Sequence, residues 1–364
     1  MYDLAVIGAG PAGSAAAITA ARNGARVVLI ERAVFPRQKV CGEFVSAESL
    51  DLLSKLLGQA HQALLHQAVR IPRAQLFIDG QMVSAAITPP AASIARCDLD
   101  DALLQSAVES GVDAHMHSSV LSLEGDGPFR VRCPQENFEA RAIINAAGRW
   151  SKLNHAPTPS QNSSDKWIGI KAHYREQSPE PSVNLYFFDG GYCGVQPVDL
   201  TGATRSQRVN VSAVVRADAA TTLPEVFSYH PALRERSASW QLVGQTVTTS
   251  PLLFRPPECT TGNTLRVGDA AAFVDPFVGD GISLALRSGV LAGDTLSAFF
   301  SGTSTLEQAV IRYRRGYEAA LAPIFRSSSQ LRQLLRLPRL LRVPLLYCIG
   351  RTPLITRWMV RKTR

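Results

Sequence analysis

No C-x-x-C pair occurs among the six cysteines of this 364-residue chain, which stand far apart at Cys41, Cys97, Cys133, Cys193, Cys259 and Cys348. That spacing argues against a zinc site, an iron–sulfur cluster or a disulfide framework, and no metal is expected. It leaves the thiols as small buried hydrophobes in a reducing compartment. No run of about 18 uncharged apolar residues occurs, which argues against a membrane-spanning helix. No basic segment with a small-residue cleavage site precedes the first strand-like run, "MYDLAVIGAG", so no signal peptide is expected and the cytoplasm is the expected location. Charge is sparse, at 19%, beside 46% hydrophobic residues, which are the proportions of a folded chain with one large or two intermediate domains.

Acid is missing from the end. From Ala319 onward there are ten Lys and Arg and no Asp or Glu. The net charge of +8 is therefore local, since the rest carries 28 basic against 30 acidic residues. A nearly neutral body whose basic tail holds no recognisable nucleic-acid module argues against nucleic acid as a partner.

The N-terminus reads "DLAVIGAGPAGSAAAITAARNGARVVLIER". Leu4–Ile7 is a short buried-strand run, followed by Gly8, Gly10 and Gly13 in G-x-G-x-x-G spacing. Pro11 suits a first helical position, and Gly24 suits the residue just past a helix end. "ARVVLIE" is a second strand ending at Glu31. Gly8 permits a tight turn. Gly10 lets a pyrophosphate approach the backbone at Pro11 and Ala12, where the helix dipole is positive. Gly13 permits close helix–strand contact, and Glu31, with Arg32 beside it, ends the strand where ribose hydroxyls need acceptors. This strand–turn–helix–strand–Glu frame predicts dinucleotide binding. It does not choose between FAD and NAD.

Three later segments extend the pattern: "SIARCDLDDALLQSA" (93–107), "EARAIINAAGRWS" (139–151) and "LRVGDAAAFVDPFVGDGISLAL" (265–286). Together with the first unit they resemble, in order, the motifs of the flavoprotein superfamily of aromatic-ring hydroxylases, geranylgeranyl reductases and flavin-dependent halogenases. The resemblance implies FAD as cofactor. It implies an α/β fold in which a Rossmann-like FAD-binding domain (1–70, 93–150 and 260–300) is interleaved with an antiparallel-sheet substrate domain (71–92 and 151–259). Basic C-terminal helices occupy 301–364. Gly268 and Asp269 would meet the ribityl chain. Asp275 and Pro276 would shape the turn, and Gly279, Asp280, Gly281 and Ile282 would present a helix N-terminus to the flavin edge that gains charge on reduction. The resemblance also carries Arg96 to the phosphates or ribose, Val120 to a strand beside adenine, and the Cys41–Gly42 segment to the flavin's side. Cys41 has no C-x-x-x-x-C partner, which excludes a disulfide-reductase pair.

Between Trp150 and Leu265 the residues alternate. "KWIGIKAHYR" places Ile168, Ile170, Ala172 and Tyr174 on one face, and "SVNLYFFDGGYCGVQPVD", "RVNVSAVVR" and "SWQLVGQTVTTSPL" read as further strands. An antiparallel sheet covered on one side is expected, with a polar loop over 156–165 at its entrance. Geranylgeranyl reductases carry Tyr-x-Trp-x-Phe-Pro here. This chain has "YCGVQP", keeping Tyr192 and Pro197 alone, and it lacks the paired Trp segment of the halogenases. His173 and Tyr192 are the candidate proton donors or orienters.

The first expectation is an FAD-dependent monooxygenase acting on a hydrophobic, aromatic or polyketide-like molecule through a flavin C4a-hydroperoxide. The second is a reductase of carbon–carbon double bonds in an isoprenoid or lipid, and the third a flavoprotein electron carrier. No second glycine fingerprint exists, so either NAD(P)H binds transiently or an external reductase supplies the electrons. The tail repeats arginine at 332, 336, 339 and 342 among leucines and is broken by Pro338 and Pro344. Two readings stay open for it: leucines packed on the body, or a basic amphipathic surface resting on anionic lipid at the inner membrane face.

Overall fold

The computed structural model describes residues 1–149, 153, 166–198, 208–252 and 254–335. The loop over 156–165 and the tail arginines and prolines beyond residue 335 lie outside the described residues.

Among the described residues two eight-stranded sheets share the chain. The first is built on β1 (Tyr2–Ile7), β2 (Val27–Ile30), β6 (Asp113–His115), β7 (Ser122–Glu124), β8 (Phe129–Arg132), β9 (Asn137–Asn145), β15 (Thr260–Thr261) and β16 (Thr264–Arg266). Its main path runs β15-β16-β9-β1-β2-β6, and β1 lies parallel to both β2 and β9. Leu4, Ala5, Val6 and Ile7 are all buried, so both faces of this central strand are covered, and the same apolar core takes in Ala16, Ile18, Phe129 and Val131. The helix α1 (Pro11–Arg22) follows β1 and starts with proline at its first turn.

The second sheet uses β3 (Phe44–Val45), β4 (Val69–Ile78), β5 (Gln81–Ser93), β10 (Trp167–Arg175), β11 (Ser182–Phe188), β12 (Gly191–Val198), β13 (Arg208–Arg216) and β14 (Gln241–Thr249). Their order is β14-β10-β13-β12-β11-β4-β5-β3. Two expectations need correction. The sheet is mixed, because β11 pairs parallel to β4, a strand that belongs to a much earlier part of the chain. It is also covered on both faces at β10. Ile170, Ala172 and Tyr174 pack on Val226, Phe227 and Leu233, which come from α5 (Leu223–Ser228) and α6 (Pro231–Ser237). Lys171 and His173, alternating with them, are buried as well.

The remaining helices are α2 (Ala47–Leu56), α3 (Ala63–Gln67), α4 (Arg96–Glu109), α7 (Gly281–Phe300), α8 (Leu306–Ala320) and α9 (Ala322–Leu335). Small residues bring α1 and α7 together. A Cβ on Gly289 would overlap the Ala12 carbonyl oxygen, and one on Gly293 would stand 2.9 Å from the Ala16 carbonyl oxygen. This contact carries the start of α7 to the glycine turn after β1, from the far end of the sequence. Tyr313 in α8 ties that helix to the sheet, its buried hydroxyl donating to the Arg266 carbonyl at 2.7 Å. Among the described residues no helix is long and apolar enough to cross a membrane.

Candidate active site

The glycine turn is shaped first by backbone sterics. Gly8 has φ +100°, a region closed to most side chains, and a Cβ on Gly13 would overlap the Gly8 carbonyl oxygen. Gly10 differs: its φ is −69° and a Cβ there would meet no atom within 4 Å. Gly8 and Gly13 therefore serve the chain's own packing, and Gly10 faces open space. Glu31, just beyond β2, is buried. One carboxylate oxygen accepts from the Ala9 N–H at 2.8 Å, the other from the Ala33 N–H at 2.9 Å. It thus braces the turn while keeping lone pairs for a further donor.

One cavity gathers most of the expected residues. Gly10, Pro11 and Ala12 line it from the first turn of α1, with Cys41, Gly42 and Arg96 on a second side. Gly268, Asp269, Pro276, Gly279, Gly281 and Ile282 close the third. Gly279 has φ +76° and turns the chain into α7, so Gly281 and Ile282 begin a twenty-residue helix whose N-terminus faces the cavity. Asp280, the cap residue between them, is buried.

Two expectations change. Arg32 points outward and is exposed. Val120 stands between β6 and β7 rather than in a strand. Neither is among the residues lining the cavity, and nor are Gly8, Gly13, Glu31 and Asp280. Gly268 lines it as expected, and packing also asks for glycine there, because a Cβ would lie 2.9 Å from Ala12 Cβ.

The electrostatics favour an anion. Arg96 is buried and spends its charge on Asp100 in a bidentate pair of 2.6 and 2.7 Å. Arg149 is not so satisfied: it lies 3.6 Å from Asp269 and its guanidinium stacks over Phe273 at 4.0 Å, while its buried Nη1 finds no hydrogen-bond partner among the described residues. Burial lowers its pKa, and Asp269 only partly offsets that. Lys39 also lines the cavity, and its pKa is lowered by burial first and by the Arg96 charge next. Two under-compensated cations and two helix N-termini around one cavity fit a diphosphate-bearing cofactor, the ligand class that Gly10 leaves room for. Arg149 was not among the expected contacts. Arg149 directly follows the "NAAG" strand end, and that position was the available signal.

Beyond Val214, which lines both spaces, a second and wider groove of about 980 Å³ opens. Aromatic side chains line much of it, among them Phe77, Trp167, Phe187, Tyr192, Phe254 and Phe277, beside the charged Asp189, Arg216 and Asp275. Tyr192 packs between Phe187 and Phe277, with ring centroids 5.6 and 6.0 Å away. Its hydroxyl is buried with only the Phe277 backbone N–H beside it among the described residues, and burial, followed by the Asp275 charge, pushes its pKa well above the ordinary phenol value. His173 takes no part in the groove: it lies behind the cofactor cavity, its Nε2 2.8 Å from a carboxylate oxygen of Glu43.

The chain matches the FAD binding domain family over residues 1–311. It is 28% identical to a menaquinone reductase of Mycolicibacterium smegmatis, over 94% of this chain and 86% of that protein. It is 26% identical to digeranylgeranylglycerophospholipid reductase 3 of Methanosphaera stadtmanae, over 92% and 86%. Among solved structures, a geranylgeranyl bacteriochlorophyll reductase-like protein from Thermoplasma acidophilum has the same fold, with a TM-score of 0.78 at 20% identity, covering 100% of this chain and 95% of the other. A myxobacterial chondrochloren halogenase shares it too, with a TM-score of 0.73 at 22% identity over 87% and 79%. With the family match covering most of its length, this chain belongs to the FAD-binding domain family and is an FAD-dependent oxidoreductase.

Proposed function

We propose that this protein is a reductase that saturates a carbon–carbon double bond in the isoprenoid chain of a lipid or quinone. The observation that supports the reading is the adjacency at Val214, a residue that lines both the aromatic groove and the cofactor cavity. Two relatives whose similarity runs through nearly the whole chain are named as reductases of a quinone and of an isoprenoid lipid. A groove of about 980 Å³ whose lining includes many aromatic rings offers a flexible apolar chain surface on which to bury methyl and methylene groups, while charged residues such as Asp189 and Arg216 line the same groove.

When bound, FAD supplies the hydride, which it receives from a reduced nicotinamide or an external carrier. The chain's own residues do the rest. Gly10, the start of α1, and Lys39 and Arg149 would hold the diphosphate, and the start of α7 would meet the flavin edge. The aromatic wall aligns the double bond and excludes water. Tyr192 keeps its proton on Oη across the working pH range and gives it to the second carbon, and solvent then restores it.

The test is anaerobic. Dithionite-reduced protein is mixed with a polyprenyl lipid extract, and products are read by mass. A gain of two hydrogens without oxygen supports the reading, and Tyr192→Phe is expected to lower kcat by about 10²-fold or more with little change in KM. A gain of one oxygen that requires O₂ would establish the monooxygenase in its place.

A further inference from the structure

Behind the Cys41–Gly42 wall of the cofactor cavity sits a charged cluster that the reading above does not use. Glu43 is wholly buried and holds a positive backbone φ of 60°, uncommon outside glycine. Its Oε1 accepts from Lys171 Nζ at 2.8 Å and from the Arg96 backbone N–H at 3.0 Å, while Oε2 lies 2.8 Å from His173 Nε2. Lys171 Nζ also donates to Gln38 Oε1 at 2.6 Å. The Glu43 and Lys171 side chains are 0% and 1% exposed.

Packing alone does not account for this arrangement. A buried ion pair costs several kcal/mol of desolvation per ion, and apolar side chains of similar size commonly serve stability as well or better. What the cluster does is clamp one short loop. Lys171 grips it at Gln38 and at Glu43, and Asn210 Nδ2 donates to the Cys41 carbonyl at 3.0 Å between them. On either flank the fit is tight: a Cβ on Gly169 would stand 3.0 Å from Val40 Cγ1, and one on Gly279 3.0 Å from the Phe44 ring. The loop is thus wedged between β10 and the start of α7, and Glu43 itself borders the cavity.

We propose that Glu43 and Lys171 are positioning residues of opposite sign: they fix the Val40–Phe44 wall and set the electrostatic field at the redox centre of the cofactor beyond it. The proposal rests on the cavity taking FAD. Charges held dry inside a protein act on their neighbours through a low dielectric and are poorly screened by salt. Reduction adds negative charge to the cofactor, so a fixed carboxylate resists it and a fixed ammonium assists it.

The signs make the experiment decisive. Glu43→Gln and Lys171→Gln are prepared with FAD bound, and midpoint potentials are measured by equilibration with reference dyes. The expected shifts are opposite, upward for Glu43→Gln and downward for Lys171→Gln, and both should persist at high salt. A merely structural role predicts lower melting temperatures with unmoved potentials, or shifts in one common direction as water enters. Either of these results overturns the proposal. Should Glu43→Gln fail to fold, Lys171→Gln carries the test, and a potential at or above the native one overturns it. Native protein that binds no FAD would sink the reading of the cavity, whereas native flavin binding with unmoved potentials sinks this inference alone.

Discussion

Gly10→Ala and Gly13→Ala, three residues apart in one motif, are expected to fail in different ways. At Gly13 the new Cβ would overlap the Gly8 carbonyl oxygen, and its other near neighbours are the Gly8 carbonyl carbon at 2.9 Å and Ala146 Cβ at 3.1 Å. Its nearest neighbours are Gly8 backbone atoms in the turn after β1, so no flexible side chain can swing away. Overpacking of this kind costs about 1–3 kcal/mol, and the backbone overlap places Gly13→Ala at the upper end. At Gly10 the Cβ meets nothing, and φ of −69° suits any residue. The apoprotein should lose no more than about 1 kcal/mol, the scale of a poorer helix N-cap. The methyl instead projects into the space where a pyrophosphate must touch the backbone, so FAD affinity should fall by about 10- to 100-fold, equivalent to about 1.4–2.8 kcal/mol. Thermal melts of the two apoproteins and titration of each with FAD separate the effects. An apo Gly13→Ala protein as stable as the native one would refute the packing account. Gly10→Ala protein with native FAD affinity would refute the placement of the pyrophosphate.

Asp269→Ala removes a cavity carboxylate and the counter-charge 3.6 Å from Arg149, and FAD binding is expected to weaken by about 1–3 kcal/mol, with unchanged affinity in a titration removing Asp269 from the site. Acid should act through Glu43: burial disfavours its charge, but the His173 hydrogen bond and the Lys171 charge outweigh that and hold its pKa at about 2, against 4.5 for a free side chain. A depressed carboxylate contributes stability that is full above the unfolded value and lost as pH falls, so urea midpoints should drop between about pH 4.5 and 2, and Glu43→Gln should flatten that slope. The basic tail is expected to bring the protein down with anionic vesicles at low salt and to release it as salt rises; protein that ignores such vesicles at every salt concentration ends that idea.

The first thirty residues were legible because their constraints are local. A turn that needs φ above zero, a proline at a helix start and a carboxylate at a strand end are each set within a few residues, and the structure keeps all of them in place. The later "GDGI" stretch was legible for the same reason, as a glycine turn opening a helix. The strands of the substrate half were visible in their alternation, but what covered their second face was not. Alternation shows that Ile170 and Ala172 share one side; it cannot tell that Lys171 and His173 meet a glutamate some 130 positions earlier. The parallel pairing of β11 with β4 escaped the sequence too, because strand neighbours are chosen by the route of the chain through the other domain. Arg32 and Arg149 mark the same boundary: one stands beside the motif and faces solvent, the other lies far from it and enters the cavity. Backbone geometry is written residue by residue and can be read so. The partner of a buried charge depends on which distant segments the packed core brings together, and that was decided in three dimensions.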